Sequence, residues 1–174
     1  EKTSTAIKTR GFWLGTNLLT ALIAASVINI FKETLEQVIF LAVLMPIIAS
    51  MGGVAATQTL TITVRGLALG QIVRANYLYI FNRELMVGVS NGFIWAVILS
   101  LIACSWFQDW LLAWVICLSM IINLIAGVLS GMGIPILLKG LKMDPAVAGS
   151  VIVTTVTDVI GFFSFLGLAT YFYS

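Results

Sequence analysis

Five long apolar runs limit what this chain can fold into. They cover residues 12–30, 38–64, 85–107, 110–138 and 146–173, and only the last contains a charged side chain, Asp158. Each run is long enough to cross a bilayer, since a spanning helix needs about 20 mostly apolar residues. Backbone polar groups in lipid must be paired within the protein, which favours helices over irregular segments. The sequence therefore predicts an all-α, polytopic membrane protein with five transmembrane helices.

Composition agrees with this fold class. The 174 residues are 60% hydrophobic and 9% charged, with a mean hydropathy of +1.10, far from the values of soluble domains. We expect one transmembrane domain over residues 1–174. Because the sequence begins Glu1-Lys2-Thr3 without an initiator Met, we also expect it to be part of a longer protein.

The distribution of positive charge predicts an orientation. Of the nine Lys and Arg residues, all except Lys32 fall before the first run or in the connections on that same side. Positive residues are retained on the cytoplasmic side, so we predict a cytoplasmic N-terminus and an external C-terminus in the cell (inner) membrane. Aromatic residues typical of membrane interfaces lie near the predicted ends of the runs: Trp13, Trp106, Trp110, Trp114, Tyr171 and Tyr173.

The second run is rich in small and polar residues around Pro46. Proline and paired glycines can bend a helix or expose its carbonyl groups, which a bilayer tolerates only beside protein or a water-filled path. We predict that this segment lines a cavity or pore through Gly52, Gly53, Thr57 and Gln58. A kinked, closely packed helix is the alternative.

Two further segments receive structural predictions. Residues 65–84 combine Arg and Asn with aliphatic and aromatic residues, a pattern typical of an amphipathic helix on the inner leaflet, or of a docking surface for a regulatory domain. Cys104 and Cys117 lack metal-type spacing and are predicted to be free thiols rather than a disulfide.

Asp158 is the residue most in need of a function. A charge at mid-membrane costs about 2.5–3.5 kcal/mol on insertion scales, so such residues usually mark functional sites. Ser150, Thr154 and Asp158 recur every four residues and form one polar stripe on the fifth helix. We predict that the stripe is part of an ion path. The alternatives are a structural hydrogen bond to a neighbouring helix, a protonated side chain, or a proton-coupled carrier.

The chemistry of this stripe suits a hard cation. Carboxylate, hydroxyl and carbonyl oxygens are the ligands that Mg²⁺ prefers, and Mg²⁺ usually keeps several of its waters. The chain has no His, which makes a soft-metal site improbable. Catalytic triads, zinc motifs and phosphate loops are also absent from the sequence, so neither an enzyme nor a nucleic-acid partner is predicted. If two chains met about an axis along the membrane normal, two Asp158 side chains would face one divalent ion.

Two segments resemble a known family. PIIASMGGVAATQTLTITVRGLALGQI (residues 46–72) and DPAVAGSVIVTTVTDVIGFFSFLGLATYF (residues 144–172) are similar to the membrane domain of the MgtE magnesium transporters and channels, relatives of animal magnesium carriers. The pattern TTxTDVxGFF, residues 154–163, is the more specific of the two. The chain departs from the family's second-helix motif at Val54, Ala56 and Thr57, where Asn, Gly and Asn are common.

The resemblance implies a homodimer with a pore along its axis. It also implies that Asp158 is the central ion-binding residue and that Thr154 and Ser150 help to hold hydrated Mg²⁺, the transported ion. Family members carry cytoplasmic regulatory domains, which would be partners of this domain in a full-length protein. None lies within these residues, so we expect an ungated or isolated pore domain.

The predicted function is Mg²⁺ transport through a dimeric, channel-like pore. Moving two charges across 100 mV releases about 4.6 kcal/mol, so the membrane potential can drive entry. An Mg²⁺ exchanger coupled to Na⁺ or H⁺ is the first alternative, and a non-transporting membrane scaffold is the second.

Overall fold

The computed structural model describes all 174 residues, and every regular element is helical. The elements are α1 (Thr3–Ile30), α2 (Lys32–Gln37), α3 (Phe40–Ala68), a 3₁₀ turn (Arg74–Asn76), α4 (Tyr77–Phe107), α5 (Trp110–Gly140) and α6 (Val147–Tyr173). Five of them, α1, α3, α4, α5 and α6, are long and apolar enough to cross a membrane. The all-α fold with five candidate spans is therefore confirmed.

The helices extend beyond the apolar runs on the side predicted to be cytoplasmic. α1 begins nine residues before the predicted span, at Thr3, and α4 begins eight residues before it, at Tyr77. The separate amphipathic helix predicted over residues 65–84 is wrong, because its residues divide between the end of α3, a turn and the start of α4. Polar residues can continue a helix past the hydrocarbon, so hydropathy marks where lipid ends rather than where the helix ends.

α5 is the central helix of the bundle. It packs against α3, α4 and α6, whereas α1 lies at the edge and packs mainly on α6. In the most apolar 18-residue stretch of α5, 50% of the residues are buried, whereas in that of α1 only 11% are buried. The main apolar core joins α5 to α3 and α6 through side chains such as Leu44, Ile48, Ile116 and Phe165.

Glycines bring the α3 and α5 backbones into direct contact. A Cβ atom added at Gly127 would lie 2.7 Å from the carbonyl oxygen of Gly52, and one at Gly131 would lie 2.6 Å from that of Ala56. Helices in a bilayer associate through such close packing, because lipid is as apolar as the helix surfaces. Gly127 and Gly131, which are four residues apart in α5, therefore allow α3 to pack closely against this helix.

Polar contacts join the helices at the end opposite the N-terminus. Tyr173 donates a hydrogen bond of 2.5 Å to Asp109, whose other carboxylate oxygen caps α5 by accepting from Leu111 N. The hydroxyl groups of Thr34 and Thr170 lie 2.7 Å apart and link α2 to α6. Cys104 and Cys117 are free thiols, as predicted.

We predict that Gly131→Ala lowers the free energy of unfolding by about 1–3 kcal/mol, because the new methyl group must push α3 away from α5. Gly133→Ala is the matched control: the site is on the same helix and has no atom within 4 Å. Because Ala has a higher helix propensity than Gly, the Gly133→Ala variant should be as stable as the parent or slightly more stable. Unfolding of the two variants in detergent measures this difference, and equal stabilities would contradict the packing argument.

Candidate cation site

The polar stripe of α6 lies on the outside of the single chain. Ser150 and Thr154 are exposed and Asp158 is half-buried. Asp158 is eleven residues beyond the start of the helix at Val147, roughly 17 Å along its axis, which places it near the middle of this 27-residue span. The structure thus brings the three predicted metal-site residues onto one open face.

A groove between α3 and α6 continues this polar face. Its volume is about 560 Å³. The residues that line this α3–α6 groove are mostly small or polar: Ser50, Gly53, Val54, Thr57, Gln58, Thr61, Ile62 and Thr154. Three of the four predicted pore-lining residues, Gly53, Thr57 and Gln58, are among them.

Gly52 is placed elsewhere. It is buried against Asn123 of α5, and a Cβ atom at this position would overlap the Asn123 amide nitrogen. The carbonyl oxygen of Gly52 faces Gly127 of α5. Gly52 therefore allows helix packing, and the groove begins with its neighbour Gly53. The helix is also continuous through Pro46.

The hydroxyl groups along the groove present acceptor oxygens. Thr57 donates to the carbonyl oxygen of Gly53 at 2.9 Å, Thr61 to that of Thr57 at 2.8 Å, and Thr154 to that of Ser150 at 2.7 Å. Because each proton is used within its own helix, the lone pairs of these oxygens remain for water or a cation. This arrangement suits a hydrated hard cation.

Asn123 fixes the wall behind the groove. It is fully buried, and its side chain donates to the carbonyl oxygen of Ile48 at 2.9 Å. A Cβ atom at Gly161 of α6 would lie 2.8 Å from the same amide nitrogen. Asn123 thus joins α5 to α3 by a hydrogen bond, and the same side chain contacts α6.

The burial of Glu84 was missed by the sequence prediction. The sequence prediction placed it in the connection before the third span, but it lies within α4 and is only 7% exposed. The sequence held one signal of this burial: Glu84, Gly88, Asn91 and Trp95 share the spacing of a single helix face. The structure contains no group of three or more His, Cys, Asp or Glu side chains that could hold a metal ion.

Comparison with known proteins gives consistent matches. A family model described as MgtE, divalent cation transporter, matches residues 45–168. Proteins named magnesium transporter MgtE are 34% identical over 92% of this chain in Bacillus subtilis, 28% over 92% in Enterococcus faecalis, and 29% over 90% in Thermus thermophilus. The chain spans about a third of the length of these curated relatives, 36%, 35% and 35% respectively.

We expect the α3–α6 groove to be wet. In a background without Cys104 and Cys117, Thr57→Cys and Thr154→Cys should react with a charged, membrane-impermeant thiol reagent, because the reactive thiolate forms where water has access. Leu101→Cys is the control, since Leu101 is 67% exposed on an apolar face of α4 and should lie against lipid. Equal labelling rates at all three positions would contradict a water-filled groove.

Proposed function

Because the chain belongs to the MgtE family of divalent cation transporters, we propose that it carries Mg²⁺ across the membrane through a pore formed by two copies. The observation that supports this proposal is the uncovered polar face. Ser150, Thr154 and the α3–α6 groove lie on the surface of helices that are long and apolar enough to span a bilayer. A face of this kind is stable in a membrane only beside protein or water.

A second copy of the chain provides that cover. Homo-oligomers are usually closed by a two-fold axis, and an axis along the membrane normal would bring the two α6 stripes face to face. The two Asp158 carboxylates would then repel each other until a divalent cation lay between them. In this arrangement one chain supplies half of the ion site.

The ion is held in hydrated form. Mg²⁺ gives up water reluctantly and is usually bound through one or two carboxylates with several waters retained. Asp158 supplies the charge, while Thr154 and Ser150 accept hydrogen bonds from the waters. Gly53, Thr57 and Gln58 line the pore beside them, and Gly52 packs α3 against α5.

The membrane potential drives the ion inward. The positive residues support a cytoplasmic N-terminus and an external C-terminus, with entry from the outer side. Regulatory cytoplasmic domains of a full-length protein are the expected partners on the inner side. A channel of this type needs neither Na⁺ nor H⁺, which separates it from a coupled exchanger.

We predict that Asp158→Ala and Asp158→Asn each reduce Mg²⁺ uptake into sealed vesicles to about a tenth or less, since both remove the charge that holds the ion. Glu36→Gln, an exposed acid beyond α1, is the control and should transport like the parent. Uptake should not depend on a Na⁺ or proton gradient. Undiminished transport by both Asp158 variants at equal expression would overturn the site, and strict coupling would favour the exchanger.

A second prediction concerns the dimer axis. In a background without native cysteines, Thr154→Cys should be captured as a dimer by a short bifunctional maleimide, because the two stripes face each other. Leu101→Cys on α4 should stay monomeric under the same treatment. Crosslinking through Leu101→Cys but not through Thr154→Cys would place the interface on a different face.

A further inference from the structure

A second cavity lies on the other side of α3. Both α3 and α4 pack against α5 but scarcely contact each other, which leaves a space of about 330 Å³ with α5 as its floor. We call this space the α3–α4 cavity. Its polar lining comes from both helices: Gln58 and Thr59 of α3, and Glu84 and Asn91 of α4.

Glu84 is the unusual member of this lining. It is more than nine-tenths buried, roughly 10 Å along α4 from Tyr77. Asp109 and Asp144 each accept a hydrogen bond from a backbone N–H group, but no side-chain hydrogen bond involves Glu84. The buried side-chain oxygens that are sealed and unpaired belong to Thr63 and Asn123, so the Glu84 carboxylate instead opens on the cavity.

We propose that the α3–α4 cavity is a second divalent-cation site, with Glu84 as its charged group. An ionised carboxylate that is buried without a protein partner is costly, and a cation offsets that cost. The side-chain oxygens of Gln58, Asn91 and Thr59 can orient the ion's waters. Six waters occupy about 180 Å³ in the liquid, so the cavity can hold a hydrated ion.

The site is separate from the Asp158 stripe but adjoins it. Val54, Gln58 and Ile62 line both the α3–α6 groove and the α3–α4 cavity. Gln58 therefore stands between the two spaces, and an ion near Glu84 competes for the side chain that also lines the proposed pore. This inference does not rest on the pore mechanism, because the cavity is formed within one chain.

The number of bound ions distinguishes the two sites. Mn²⁺ serves as the probe, and the bound ion is counted by electron paramagnetic resonance on the full chain in lipid nanodiscs. One ion per chain near Glu84 and one per pair of chains at Asp158 give about 1.5 ions per chain. Glu84→Gln should reduce this number to about 0.5, Asp158→Asn to about 1, and the double variant to none.

Matched variants separate ion binding from folding. Glu33→Gln, an exposed acid, should leave the count unchanged. Asn91→Leu keeps the carboxylate and should weaken the cavity site roughly tenfold in Kd, as loss of an orienting partner does in metal sites. Melting temperature and elution volume monitor the fold of each variant.

An unchanged ion count in folded Glu84→Gln would overturn the inference. If that variant does not fold, parent-like Mn²⁺ affinity in folded Asn91→Leu would overturn it instead. Loss of ions from Glu84→Gln together with no loss from Asp158→Asn would support this site and count against the proposed pore site.

Discussion

Contact between the backbones of α3 and α5 sets the position of the polar face of α3. Gly127 and Gly131 allow the approach, and the buried side chain of Asn123 ties α5 to the carbonyl oxygen of Ile48 on α3. The hydrophobic effect does not drive helices together in lipid, so close packing and hydrogen bonds must do so. With α3 held against α5 in this way, its Gly53–Thr57–Thr61 face turns toward α6.

The acidic residues of the chain divide according to how their charge is satisfied. Asp109 and Asp144 accept hydrogen bonds near helix starts, where backbone N–H groups are free. Asp158 lies near the middle of α6 and opens on a polar face, and Glu84 lies two turns into α4 and opens on a cavity. The first pair stabilises helix starts, whereas the second pair has no backbone partner of this kind and is the pair that we propose binds ions. Position along the helix, rather than residue type, makes this distinction.

Much of the fold could be predicted from hydropathy, because every helix that crosses lipid needs about 20 mostly apolar residues. The ends at Ile30, Phe107 and Trp110 agree with the structure, as does the stripe through Asp158, since four-residue spacing fixes a helix face. The starts of α1 and α4 and the end of α3 could not be predicted, because these helices continue past their apolar runs. Gly52 and Glu84 were misplaced for another reason: which face of a helix is buried depends on its neighbours, and a single sequence does not state them.

The position of α3 between two polar spaces limits how the protein can move. One side of this helix lines the α3–α6 groove and the other lines the α3–α4 cavity, with Gln58 reaching both. Rotation of α3 alone would drive backbone atoms into Gly127 and Gly131 and break the hydrogen bond from Asn123. Packed interfaces of this kind shift between discrete arrangements rather than deform continuously. A movement that preserves these contacts must therefore carry α3 and α5 together, and in the proposed dimer it would move Gln58 relative to the second copy.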